Sequence, residues 1–330
     1  MPDTEKTNAF GTAAEIEIPV TRGARPNAPE YGSDAVVEVL KALSFPYVFV
    51  VPGSSFAGLQ DSYVNYGGNT TPKTILCTHE TTAVSMAHGY AMATGGPALV
   101  TLHDLVGLMN ATMAIYNTYA ARLPVVMLGG SGPADLKLRR SIDYAHSANV
   151  QGELVRPFVK WDDEPTTVEG VLESLAQAHK IATSQPMGPV YLSVDIGIQE
   201  GKLSAPVRIP DVRDPRYKAP PPPAALASAV ERIADILLGA TMPAIVCGRI
   251  GTDPAITAPL VELVEALGAA FHEDRNCVSF PSLHSQNLTG DGSIVAESDA
   301  VLCIDSLDIA AAVGGRARKG QVQDSKPRAV

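Results

Sequence analysis

Short apolar runs alternate with helix-length stretches from residue 33 to residue 194, and this alternation restricts the chain to an α/β fold. The runs at 47–51, 74–77, 97–102, 124–128 and 189–194 read as strands, and the stretches at 33–43, 79–94, near 106–120 and about 166–183 read as helices. Strands spaced in this way predict a doubly wound parallel sheet covered by helices on both faces.

One junction in the pattern carries a charge in a special place. Strand 74–77 runs into helix 79–94 through Cys77-Thr78-His79-Glu80, which puts a carboxylate in a helix's first turn at a strand's carboxyl end. Ligands of open α/β sheets bind along that edge. Gly95 supplies a stop signal for the helix, and Ala83, Ala87 and Ala91, spaced by four, let it lie close against a neighbour. A first-turn acid also serves simply to complement the helix dipole, so the junction alone leaves both roles open.

The organisation follows from composition shifts. Residues 1–30 mix charge, Pro and Gly without a sustained period and read as a flexible arm; 31–200 form the first domain. A Pro-rich linker, 201–223, ends in Pro220-Pro221-Pro222-Pro223 and acts as a semi-rigid spacer. Helix 225–239, strand 243–248, helix 256–267 and a strand near 299–304 then give a second, incomplete Rossmann-like α/β domain over 224–312, and 313–330 reads as a basic, disordered tail. A formal charge of −10 with no basic stripe argues against nucleic acid. With no run of 18 apolar residues and no signal-peptide layout at Met1-Pro2-Asp3, the expectation is a soluble, cytoplasmic protein with no membrane contact. Cys77, Cys247, Cys277 and Cys303 form no CxxC pair and read as reduced, mostly core residues, so no residue is assigned to a metal.

Four stretches fall at the edge where a ligand belongs. They are Pro52-Gly53-Ser54 after the first strand, His79-Glu80 after the second, Leu102-His103-Asp104 with Gly107 and Asn110 after the third, and Pro124-Val125-Val126-Met127-Leu128-Gly129-Gly130 as the fourth strand and its exit. With Phe158-Val159-Lys160-Trp161 and Gly188-Pro189-Val190-Tyr191-Leu192-Ser193-Val194-Asp195, this set resembles the N-terminal, pyrimidine-binding domain of the thiamine-diphosphate enzymes of the acetolactate synthase and benzoylformate decarboxylase group. The likeness spans about 31–200, and 224 to about 310 is similar to that family's central domain.

The resemblance implies a decarboxylase or carboligase, a lyase or transferase, acting on small 2-oxo acids or related acyl compounds. It implies that Glu80 hydrogen-bonds the cofactor's aminopyrimidine ring, that Pro52, Gly53, Gly107 and Asn110 line the cofactor, and that Ser54 and His103 are catalytic groups beside the substrate. Gln151 matches a glutamine of the acetolactate synthase branch more loosely, as a substrate contact. An ordinary turn serine and a strand-end histidine are the plain alternatives for Ser54 and His103. His79 and His88 read as structural, and His146 gives no signal. The family's third domain, which holds magnesium on the diphosphate, is not recognisable in the sequence. Gly290-Asp291-Gly292 lacks both a leading strand and a later asparagine, and Gly129-Gly130-Ser131-Gly132 lacks the spacing of a dinucleotide loop. The expectation is therefore a homodimer or larger assembly, inactive as an isolated chain, in which thiamine diphosphate is shared with a separate diphosphate-binding chain that holds Mg2+. Flavin or nucleotide binding in the central domain stays open. The competing readings are a non-catalytic subunit or truncated remnant and, more weakly, a nicotinamide-dependent dehydrogenase.

Overall fold

The computed structural model describes residues 28–222, 224–248, 250, 254–274, 279–291, 293–306, 308–313 and 328–329. Most of the arm and tail expected at the two ends, and Cys277, lie outside the described residues. Two compact units divide at Pro221 and Pro222.

The first unit is built on six parallel strands: β1 (Tyr47–Val50), β2 (Lys73–Leu76), β3 (Ala98–Leu102), β4 (Val125–Ser131), β5 (Trp161–Asp163) and β6 (Val190–Asp195), in the spatial order β2-β1-β3-β4-β6-β5. The chain steps from β1 outward to β2 and then returns to the other side of β1 as β3. That reversal opens a crevice at the carboxyl ends of β1 and β3.

Alternate residues of the strands feed two separate cores, as the two-residue period of a strand requires. On one face Val48, Val50, Leu99, Val126, Leu128 and Leu192 pack under α1 (Gly32–Ala42) and α6 (Val168–Thr183), which contribute Val36, Val37, Leu40, Val171, Leu172 and Leu175. On the other, Phe49, Val100, Leu102, Val125, Met127 and Tyr191 pack under α3 (Glu80–Thr94) and α4 (Asp104–Ala120), with Ala83, Ala87, Ala91, Leu108, Ala111 and Ile115. Short helices α2 (Ala57–Asp61), α5 (Ser141–His146) and α7 (Ile196–Glu200) lie in the connections.

Local chemistry sets the element ends. α1 starts one residue before its expected serine cap, because Asp34 reaches back to the Tyr31 N–H at 3.1 Å. The His79 side chain accepts from the Thr81 N–H at 3.2 Å, and Gly95 closes α3 in the left-handed conformation at φ 69°. Lys160 places its ammonium on the carbonyls of Ile181 and Ser184 (2.5 and 2.6 Å), at the carboxyl end of α6. Over the span expected as a linker, Val207, Ile209 and Val212 pack against the first unit's core and Tyr217 is buried, so that stretch belongs to this unit up to the prolines.

In the second unit, β7 (Pro243–Cys247) is flanked by β8 (Ala270–Glu273) and β9 (Ala300–Ile304), all parallel, and Arg328–Ala329 pairs alongside β9. Its helices include α8 (Ala227–Leu238), α9 (Thr257–Leu267), α10 (Ser293–Glu297) and α11 (Ile309–Ala312). Phe271 and Phe280 stack at 4.1 Å within its core, which also holds Cys247. Asp291 accepts from the Ser293 N–H and hydroxyl (3.0 and 2.6 Å), a local turn at the start of α10. No helix among the described residues is long and apolar enough to cross a membrane.

Candidate active site

Glu80 is the first residue of α3, just past β2, and is 7% exposed. One carboxylate oxygen accepts from Asn110 Nδ2 at 3.1 Å, and the Thr81 hydroxyl donates to the Asn110 carbonyl at 2.5 Å. Gly107 lies beside it. A Cβ at that position would stand 3.2 Å from Glu80 Cγ, 3.4 Å from Glu80 Oε1 and 3.1 Å from His103 Cβ, so the absent side chain leaves the room that the carboxylate occupies. Glu80 Oε1 has no hydrogen-bond partner among the described residues. The structure thus brings Glu80, Gly107 and Asn110 together across the start of α3 and one turn of α4.

The crevice between β1 and β3 holds a second group. His103 ends β3 and precedes α4; its Nε2 lies 3.5 Å from the Ser54 hydroxyl, which follows β1. Gly53 is packed on the imidazole, where a Cβ would collide with the ring. On the other side His103 Nδ1 lies 2.9 Å from Asp104 Oδ1. The Asp104 carboxylate raises the imidazole's pKa, with burial acting against it and Glu80 adding to the same field. Asp104 is itself well anchored: its N–H donates to the Ser55 hydroxyl at 3.0 Å, and its Oδ2 accepts from the Ser147 hydroxyl at 3.1 Å.

Other sequence-chosen residues fall elsewhere. Gln151 is 1% exposed and donates to the Gly130 carbonyl (2.7 Å) and the Tyr191 hydroxyl (3.0 Å), so its hydrogen bonds tie strand ends together instead of reaching Ser54, His103 or Glu80. Gly129 and Gly130 belong to β4, where a Cβ would strike Tyr191 and Ser55. They admit close packing and do not form a phosphate loop. His88 meets the Thr118 hydroxyl at 3.2 Å between α3 and α4.

Two residues of this crevice escaped the sequence reading. In the sequence, Asp104 figures only as part of the Leu102-His103-Asp104 stretch, with no role of its own. His146, on α5, stacks edge-on against His103 with ring centroids 5.3 Å apart, and no local pattern links two positions so distant in sequence.

Comparison with known proteins concerns the chain that carries these residues. Residues 31–150 match the family model described as thiamine pyrophosphate enzyme, N-terminal TPP binding domain. A benzoylformate decarboxylase of Pseudomonas aeruginosa is 35% identical over 187 residues, covering 53% of this chain and 34% of the relative. An acetolactate synthase large subunit of Haemophilus influenzae is 30% identical over 163 residues, covering 49% of this chain and 27% of the relative. Among solved structures, the thiamine diphosphate-dependent 4-hydroxybenzoylformate decarboxylase of Rhodococcus jostii RHA1 superposes with a TM-score of 0.68 at 27% identity, over 83% of this chain and 51% of that one. The matches therefore span between about a quarter and a third of the length of these curated relatives (27% and 34%) and half of the solved one. Over residues 31–150 the first unit is thus similar to the N-terminal TPP binding domain of the thiamine pyrophosphate enzymes.

Proposed function

We propose that the first unit is the pyrimidine-binding half of a thiamine-diphosphate-dependent decarboxylase or carboligase acting on 2-oxo acids or related acyl compounds. The observation that carries this reading is Glu80: a nearly buried carboxylate at the strand-to-helix junction, one oxygen fixed by Asn110 and the other beside the cradle that Gly107 leaves open. When bound, thiamine diphosphate would supply a reactive carbon that adds to a carbonyl substrate. Glu80 would hold the proton or hydrogen bond on the ring nitrogen of the aminopyrimidine, and Pro52, Gly53 and Gly107 would line the ring's approach.

His103 and Ser54 would face the substrate, the serine donating to its carboxylate and the imidazole moving protons near neutral pH. The diphosphate and its Mg2+ need several placed oxygen ligands. In this reading they come from a separate chain, and the active site forms where two chains meet. The outer face of α3 and α4 supplies the seat for a second copy of this chain, since Met86, Met92, Met109, Met113 and Tyr116 are exposed there.

The test is Glu80→Gln in the assembled complex. Gln keeps the shape and loses the acid, so hydrogen–deuterium exchange at the cofactor's reactive carbon is expected to slow by about 10²–10⁴-fold with the fold intact. An unchanged exchange rate would reduce Glu80 to a dipole-complementing residue.

A further inference from the structure

His103, Asp104 and His146 place two imidazoles and a carboxylate so that one potential ligand atom from each lies within 4.8 Å of the others. This is the donor set that zinc and its first-row neighbours accept. The inner contact has an unusual geometry. His103 Nδ1 and Asp104 Oδ1 approach to 2.9 Å, yet both are buried atoms without an aligned hydrogen-bond partner. Asp104 is 2% exposed. With His103 Nε2 facing the Ser54 hydroxyl and Asp104 Oδ2 already taken by Ser147, Nδ1 and Oδ1 are left close together, neither with an aligned hydrogen bond. Two buried polar atoms left without aligned partners are satisfied by a positive charge that both can reach. A proton on Nδ1 satisfies them poorly, because the N–H would not point along the N···O line. A cation standing off that line, reached by both lone pairs, satisfies them together.

We propose that His103, Asp104 and His146 form a binding site for a divalent transition-metal ion of the Zn2+ or Co2+ kind. Metal–ligand bonds of about 2.0–2.2 Å put tetrahedral ligand atoms about 3.3–3.6 Å apart. The Nδ1 to Oδ1 pair, at 2.9 Å, is closer than that, and closing the 4.8 Å limit to tetrahedral spacing moves the His146 ligand atom inward by up to about 1.5 Å; His146 sits half-buried at the end of the short helix α5. The Ser147 hydroxyl, adjacent to His146 and bonded to Asp104 Oδ2 at 3.1 Å, orients the carboxylate as an outer partner. Magnesium, which prefers six oxygens, fits this set badly. The site rests on these three side chains and not on thiamine diphosphate binding, and an ion on Nδ1 excludes the proton relay proposed for His103, so the two roles belong to different states of the protein.

The experiment uses the whole chain, freed of metal by chelator, with no cofactor or substrate present. Titration calorimetry with Zn2+, with Mg2+ as the comparison ion, and the visible ligand-field band of bound Co2+ report the site. One ion per chain is expected, with a low-symmetry Co2+ band and no Mg2+ heat. His146→Gln and Asp104→Asn should each raise the Zn2+ dissociation constant by at least about 10-fold, the low end of what removing even an outer hydrogen-bond partner does, while His284→Gln should leave it unchanged. Absence of the band and of Zn2+ heat, or wild-type affinity in His146→Gln, would overturn the assignment. His146 is half-buried and its replacement is compatible with the fold, so that variant decides the matter if Asp104→Asn fails to fold.

Discussion

The two helical faces of the first sheet are built on different terms. α1 and α6 turn branched side chains such as Val36, Val39, Val171 and Leu172 inward and present Glu38, Lys41, Glu169, Glu173 and Lys180 outward, an ordinary solvent-facing layer. α3 and α4 do the reverse. Alongside Val84, Leu108 and Ile115, their inward positions include the small residues Ala83, Ala87, Ala91, Gly107 and Ala111, which bring the two helices close to the sheet and to each other, while their outward side includes Met109 at 59% and Met113 at 62% exposure. This exposed apolar side is the one proposed above to seat a second copy, and Glu80 and Asp104 open these same two helices. Both faces bury a core, and the proposed assembly and chemistry fall on the α3 and α4 side.

The largest effect that would sharpen this contrast is in the core. Leu172→Ala removes a fully buried side chain under α6 and is expected to cost about 2–5 kcal/mol in urea unfolding. Ala87→Leu on α3 should instead overpack the close approach, at about 1–3 kcal/mol. If Ala87→Leu were silent, the account of α3 as a close-packed helix would be broken.

Next comes the outer surface. Met113→Asp should weaken self-association at least about 10-fold, or roughly 1.4 kcal/mol, in light scattering across a dilution series, whereas Glu169→Gln on the outer side of α6 should leave it unchanged. Equal effects at both positions would erase the distinction between the faces.

A smaller change in stability is expected from Gly107→Ala. The substitution gains about 0.8–1.0 kcal/mol of helix propensity but puts a methyl 3.2 Å from Glu80 Cγ and 3.1 Å from His103 Cβ, so the fold should hold while cofactor exchange slows. An unchanged exchange rate would show that the cradle is not used.

The smallest effect is a pH dependence shared by the two faces. Burial lowers the pKa of His179, edge-on to Phe45 beneath α6, and of His88 between α3 and α4. The unfolded chain therefore takes up these protons first, and stability should fall as pH drops below the unfolded value of about 6.5 toward the lower folded values. His179→Asn should flatten part of that slope. A slope that is unchanged would remove His179 from the account.

Much of the first unit was legible along the chain because its signals are local. Strand runs, the helix at 79–94, the stop at Gly95 and the acid at position 80 depend on residues a few positions apart, and each element appears within a few residues of its expected bounds. Two strands were not legible. β5 is three residues long and two of them are aspartates, and β8, Ala270–Glu273, is short and half-polar, so neither carries a period long enough to read. Gln151 was matched by motif alone, and its burial among strand ends could not be foreseen because burial depends on what packs over it.

By itself, then, the sequence determined the kind of fold, the carboxylate at the strand-to-helix junction, and the glycines and asparagine that accompany it. Tertiary structure alone decided which side chains meet. The order β2-β1-β3 sets Ser54 beside His103 although 49 positions separate them, and the return of α5 over the same edge adds His146. The physical reason is that hydrophobic periodicity encodes where each element begins and which side it buries, whereas the neighbours of a strand are chosen by the packing of the whole sheet, a sum over many weak contacts that no short stretch of residues contains.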